Sequence, residues 1–277
     1  MTLILRQYTP LPRRPFVVDQ FTIGIGILGA IALMAIVGPF VTGDPNGIAP
    51  ANRLLPPSFM HPFGTDGLGR DLLARVASGA QISLLVGLCV AGAATALGVG
   101  LGLVAGYFRR LDLIIMRVMD GMLAIPELLL AVALAGIAQG SFGMVVFALT
   151  VPQIPRIVRV ARSEVLSLRN RLYVDAAVIS GSSKLKILVR HILPNLIAPL
   201  SVQVTYVCAY AILGEAGLSF IGAGMPADTP SWGVIVSENR SYFQQAPWTI
   251  FVAGAFLTLT VLAISSIGEA LRKKNGG

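Results

Sequence analysis

Charge is what this chain has least of: Asp, Glu, Lys and Arg together make up 12% of its 277 residues, while 55% are hydrophobic. A soluble domain carries a charged share of about 25%, so here the apolar surplus must face lipid and the chain reads as a polytopic membrane protein. Cysteine is nearly absent too. Cys89 and Cys208 both lie in apolar runs, so neither a disulfide framework nor a thiolate metal site follows, and both read as small core hydrophobes. There is no G-x-x-x-x-G-K-[ST] phosphate loop, no H-E-x-x-H and no G-x-S-x-G, which argues against an enzyme with its own nucleotide or hydrolytic centre.

What the chain has in abundance is long hydrophobic runs. Windows of about twenty apolar residues give six spans, near Phe21 to Val41, Ile82 to Phe108, Leu113 to Ala138, Phe142 to Val160, Leu196 to Ile221 and Trp248 to Ile267. Pro152, Pro155, Arg156 and Arg159 interrupt the fourth. The first span is too long for the core of a cleaved signal peptide and should stay attached. Six spans put both termini on one side of the membrane.

Lys and Arg total 21 against 13 Asp and Glu, an excess whose distribution points to membrane orientation rather than nucleic acid. With the N-terminus inside, all of the 21 except Arg53, Arg70, Arg75 and Arg240 fall on inner segments, as the positive-inside rule requires. Residues 1–20 then form an inner N-terminal segment, 42–81 an outer loop and 82–267 a five-helix core. That core contains an inner loop at 161–195 and an outer loop at 222–247, and 268–277 are an inner tail. His61 and His191 fall on opposite sides, so they share no metal.

Gly98, Gly102 and Gly106 recur at four-residue intervals in the second span, a spacing that lets helix backbones approach closely in lipid and whose bare backbone would also leave room for a solute along a pore. Ionisable residues at membrane depth are costly and face a bundle interior or a water-filled path. Arg117 and Asp120, three apart, read as a local ion pair. Glu127, beside Pro126, and Glu215 have no such partner in sequence and stand as candidates for the solute path or for bonds between helices.

The longest polar interruption is Tyr173 to Asn195, YVDAAVISGSSKLKILVRHILPN. It reads as two short helices. The first carries Asp175, Ala176 and Ala177 and closes at Gly181, the residue type that best adopts the left-handed conformation. Ser182 and Ser183 are placed to cap the second, whose Leu185, Leu188, Val189 and Ile192 share one face and which Pro194 should end. The pair fits either a docking element for another protein or an ordinary interfacial loop. A channel or a scaffold would need no such element, whereas a transporter subunit driven by a partner would.

This loop resembles the EAA motif, E-A-A-x3-G-x9-I-x-L-P, of importer permeases of the ATP-binding cassette class. Asp175, Ala176, Ala177, Gly181, Leu193 and Pro194 match it, with Asp175 in place of Glu and His191 in place of the first Ile. His61 to Gly87, Ser167 to Ala177 and Glu215 to Gly233 are similar to further segments of the "C" subunits of the dipeptide, oligopeptide and nickel branch. The resemblance runs from about Phe16 to Arg272. It implies an all-α, type I importer permease fold in a bacterial inner membrane. The subunit would sit beside a second permease, two ATPase subunits that hold ATP and Mg, and an extracytoplasmic solute-binding protein, with no cofactor or metal of its own. Tyr173, Asp175, Ala176, Ala177, Gly181, Ser182 and Pro194 would then couple it to an ATPase. Peptide, nickel-chelate, glutathione and opine importers share these features, so the cargo stays open.

Overall fold

The computed structural model describes residues 20–137 and 141–275. The inner basic residues Arg6, Arg13 and Arg14 and the predicted span end at Ala138 lie outside them. All regular structure among the described residues is helical: α1 Gln20–Val41, α2 Leu72–Tyr107, α3 Arg109–Leu123, α4 Glu127–Ile137, α5 Phe142–Leu168, α6 Leu172–Ile179, α7 Lys184–Ile187, α8 Ile197–Phe220, α9 Trp232–Asn239 and α10 Trp248–Asn275. Five helical runs are long and apolar enough to cross a membrane, six if the bent pair α3 and α4 counts as one. This is an all-α polytopic fold.

The centre of the bundle is α2, which packs along α5, α8 and α1 and also touches α9 and α10. It begins ten residues before the hydropathy reading, because the Asp71 carboxylate caps it by accepting from the backbone N–H of Leu73, 2.7 Å away, and of Ala74. Charged Arg75 hides these first turns from a hydropathy window. The glycine stripe sits where α2 meets α5. A Cβ on Gly98 would lie 2.6 Å from the Cβ of Ile157, and one on Gly102 2.5 Å from the Cβ of Ala161. Neither neighbour is a flexible side-chain end, so the gap cannot open locally. Gly102→Val is therefore expected to destabilise the bundle by about 1–3 kcal/mol, seen as a lower thermal midpoint in detergent. Gly100→Val, whose Cβ would meet nothing within 4 Å, should leave that midpoint nearly unchanged.

Two expectations about the spans are corrected. The third is not one straight helix: α3 and α4 meet at 90°, since Pro126 supplies no N–H and disfavours a helical residue before it. With Arg109, Arg110, Asp112, Arg117 and Asp120, α3 is amphipathic, and the apolar α4 is only about 16 Å long. The fourth span is not weakened by its prolines. Pro152 and Pro155 lie buried inside an unbroken α5 that runs on to Leu168, as happens where neighbouring helices support the freed backbone.

At the outside of the bundle, α1 carries no charge and presents Leu33, Ile36 and Phe40 outward. At the α9 end of the bundle the loop after α1 is held by ions. Arg75, fully buried, donates from Nη2 to Glu238 Oε2 at 2.6 Å, and Arg70 reaches the same oxygen at 2.7 Å while its Nε bonds Asp66 at 2.6 Å. Trp232, also fully buried, donates from Nε1 to the Val76 carbonyl.

Candidate functional site

Two groups of residues stand out from this scaffold, and they sit at different levels along α2. The first is the helix pair α6–α7. Helix α6 ends as the sequence predicts. Gly181 has φ +77°, its N–H donates to the Val178 carbonyl, and the N–H of Ser182 donates to the Ala177 carbonyl, which together satisfy the last free carbonyls of the helix. Ser183, not Ser182, caps α7, its Oγ accepting from the Lys186 N–H at 3.4 Å. The pair is tied to the far end of α2 through Lys184, whose ammonium lies 5.8 Å from the Phe108 ring centroid, and just before α6 the C-cap of α5, Arg169, donates to the Gly106 carbonyl at 3.1 Å.

Val174 and Ala177 turn inward, while Tyr173, Asp175 and Ala176 are exposed and Leu172 and Ile179 are each 86% exposed. Among the described residues the Asp175 carboxylate has no hydrogen-bond or ionic partner. So much apolar side chain standing free on a short element suits either lipid or another protein.

Two details differ from the sequence reading. Pro194 does not end the second helix: a π turn at Leu188–Ile192 and a 3-10 turn at Leu193–Leu196 carry the chain straight into α8. The extra residue of a π turn shifts the hydrogen-bond register, which accommodates the imino nitrogen. The buried face is also rotated. Ile187, Leu188, Ile192 and Leu196 point inward, and Leu185 and Val189 are exposed.

The second group is a charged stripe where α3, α4 and α5 meet. Arg156, Arg159 and Arg162 recur every three residues along α5, and each takes one carboxylate. Arg162 pairs with Asp112, its Nη2 2.7 Å from Oδ2. Arg159 pairs with Asp120 at 2.7 Å, so Asp120 is not the partner of Arg117, as the local reading had it. Arg156 pairs with Glu127 at 2.8 Å, and Gln153 Nε2 also donates to Glu127. Glu127 thus has the partners its own helix lacks. Arg156 lies about 20 Å from either end of α5 and is 38% exposed, with Glu127 at 35%. An arginine facing hydrocarbon costs up to about 3 kcal/mol, and Arg156 meets a carboxylate instead.

Glu215 lies elsewhere. Fully buried, it accepts from Ser219 at 2.7 Å and Ser231 at 2.6 Å, and Ser231 in turn caps α9. This carboxyl pins the loop between α8 and α9, so of the two path candidates only Glu127 opens onto a cleft. Gln153, Tyr210 and Glu238 escaped the sequence reading, and Arg156 entered it only as an interruption of the fourth span. The three-residue arginine spacing was the one available sign.

Apolar helices around a charge-compensated face, with an exposed helix pair at one end, define an integral membrane transport component. The chain belongs to the family of binding-protein-dependent transport system inner membrane components, whose model matches residues 98–274. It is accordingly a transport subunit of the inner membrane and not an enzyme. A Brucella suis peptide transport system permease protein is 46% identical over 254 residues, 91% of this chain and 86% of the relative. The dipeptide transport system permease protein of Alkalihalophilus pseudofirmus is 38% identical, covering 95% of this chain and 94% of its own. The di/tripeptide permease protein of Pseudomonas aeruginosa is also 38% identical, over 95% and 91%.

Proposed function

We propose that this chain is one permease subunit of an ATP-binding cassette importer, forming half of the path by which di- or oligopeptides delivered by an extracytoplasmic binding protein cross the inner membrane. The names of its relatives support the cargo, and the observation that carries the coupling is the exposed, glycine-hinged pair α6–α7. On this reading the pair faces the cytoplasm, as do both termini, and a second permease and two ATPase subunits holding ATP and Mg complete the complex. Tyr173, Asp175, Ala176 and the Gly181–Ser182 turn seat in a groove of one ATPase, with Ala177 packed behind them as the small residue that keeps the helix close to the bundle, while Pro194 lies where the lever joins α8. Closure of the ATPases moves that lever. Its contact with Phe108 and its unbroken run into α8 pass the movement to the bundle. A docked rigid element with different contacts in two states is what such coupling requires.

Affinity purification from the native membrane tests this. An ATPase, a second permease and ATP-dependent uptake of the peptide found on the associated binding protein are expected. Import of a nickel chelate, glutathione or an opine instead would overturn the cargo while keeping the machine; flux without any ATPase would overturn both.

A further inference from the structure

The Glu127–Arg156 pair contributes its carboxylate to one recess and its guanidinium to another, and the two share Tyr210. Glu127 lines a cleft of about 300 Å³ together with Leu128, Gly214 and Gly217. Arg156 lines its neighbour, of about 480 Å³, together with Arg159, Gln203 and Tyr206. Tyr210 borders both, with the Arg156 guanidinium 5.0 Å from its ring centroid. Behind them Gln153 is 2% exposed, and its Oε1 has no hydrogen-bond partner.

Resting on the peptide-import reading, we propose that this is a peptide main-chain site, with Glu127 holding the N-terminal ammonium and Arg156, over Tyr210, the C-terminal carboxylate. The empty site keeps both charges matched to each other. A zwitterion entering across Tyr210 exchanges one ion pair for two, so no unmatched charge is left in the cleft at any stage. An extended dipeptide spans roughly 7 Å, enough to set its ends in two recesses that share one ring as a wall. A dianion or a dication would leave one side chain unpaired. The site therefore reads the two termini and ignores the peptide's side chains.

The test uses the whole importer with its binding protein in liposomes and a dipeptide carrying a benzophenone side chain. Illumination during turnover should label residues 203–214 of α8, and Glu127→Gln and Arg156→Gln should each cut labelling and raise the KM for uptake at least tenfold in complexes that still assemble. Arg156→Lys, which keeps charge but loses the planar stack, should fall between. The exchange E127R with R156E preserves an ion pair. If the pair merely bolts α4 to α5, the exchange restores uptake with labelling of residues 203–214 still lost, and that result overturns the site, as does label confined to other residues in the wild type. Failure of the peptide reading looks different: the wild-type complex then takes up another solute but not the dipeptide.

Discussion

A complex carrying Gly181→Leu is expected to assemble, to hydrolyse ATP, and to import solute at least tenfold more slowly than wild type. No atom lies within 4 Å of the position a Cβ would take, so the substitution creates no clash. It forces an L-residue to φ +77°, at a cost of about 1–2 kcal/mol. The cheapest relief is a change of angle between α6 and α7, which tilts the docking surface without unfolding the bundle. Asp175→Arg makes the same point without backbone strain. Asp175 is exposed, and a surface change of this kind alters stability by about 0.5 kcal/mol or less. A tenfold loss of uptake at unchanged thermal midpoint therefore locates the defect in a contact with another subunit. ATPase turnover no longer stimulated by loaded binding protein completes the expected signature. Normal uptake by both variants would show that α6–α7 is an interfacial loop and nothing more.

The largest effect on stability is expected from Glu238→Ala. One carboxylate oxygen receives both Arg70 and Arg75, and Arg75 is fully buried. Removing it leaves Arg75 with only Asp66, 3.8 Å from its Nε. Breaking a buried pair from one side costs about 3–5 kcal/mol. Because Glu238 is 25% exposed, the lower figure is expected, read as a fall in thermal midpoint accompanied by faster proteolysis of the 42–71 loop. Arg53→Ala removes a surface contact over Tyr242 and should cost about 1 kcal/mol or less. Equal effects from the two would mean that the ion cluster does not hold the loop.

What could be read from sequence was what is local. The hydrophobic runs, the glycine stripe of α2 and the helix stop at Gly181 each depend on residues within a turn or two of one another; the stripe and the stop are found as expected, and so are the runs apart from the bend in the third and the early start of the second. What could not be read was the partner of a charge. Arg75 and Glu238 are 163 positions apart, and Arg159 and Asp120 are 39 apart, so Arg117 looked like the partner of Asp120 only because it was nearby in the chain. The break at Pro126 and the passage through Pro194 show the same limit from the backbone side. A proline bends the chain or is absorbed according to what packs around it, and single-sequence periodicity carries no information about packing. Glu127 and Glu215 looked alike in sequence for that reason, though one opens onto a cleft and the other lies buried beneath a loop.

The account depends most on α6 lying against an ATPase at the inner face. The direct measurement is thiol labelling of Ala176→Cys, an exposed position on α6, with Cys89 and Cys208 replaced by Ser, in inside-out and right-side-out vesicles with and without the ATPase subunits. A membrane-impermeant reagent is expected to label residue 176 only in inside-out vesicles, and binding of the ATPase is expected to slow that labelling at least tenfold. Labelling in right-side-out vesicles, or a rate indifferent to the ATPase, would contradict it.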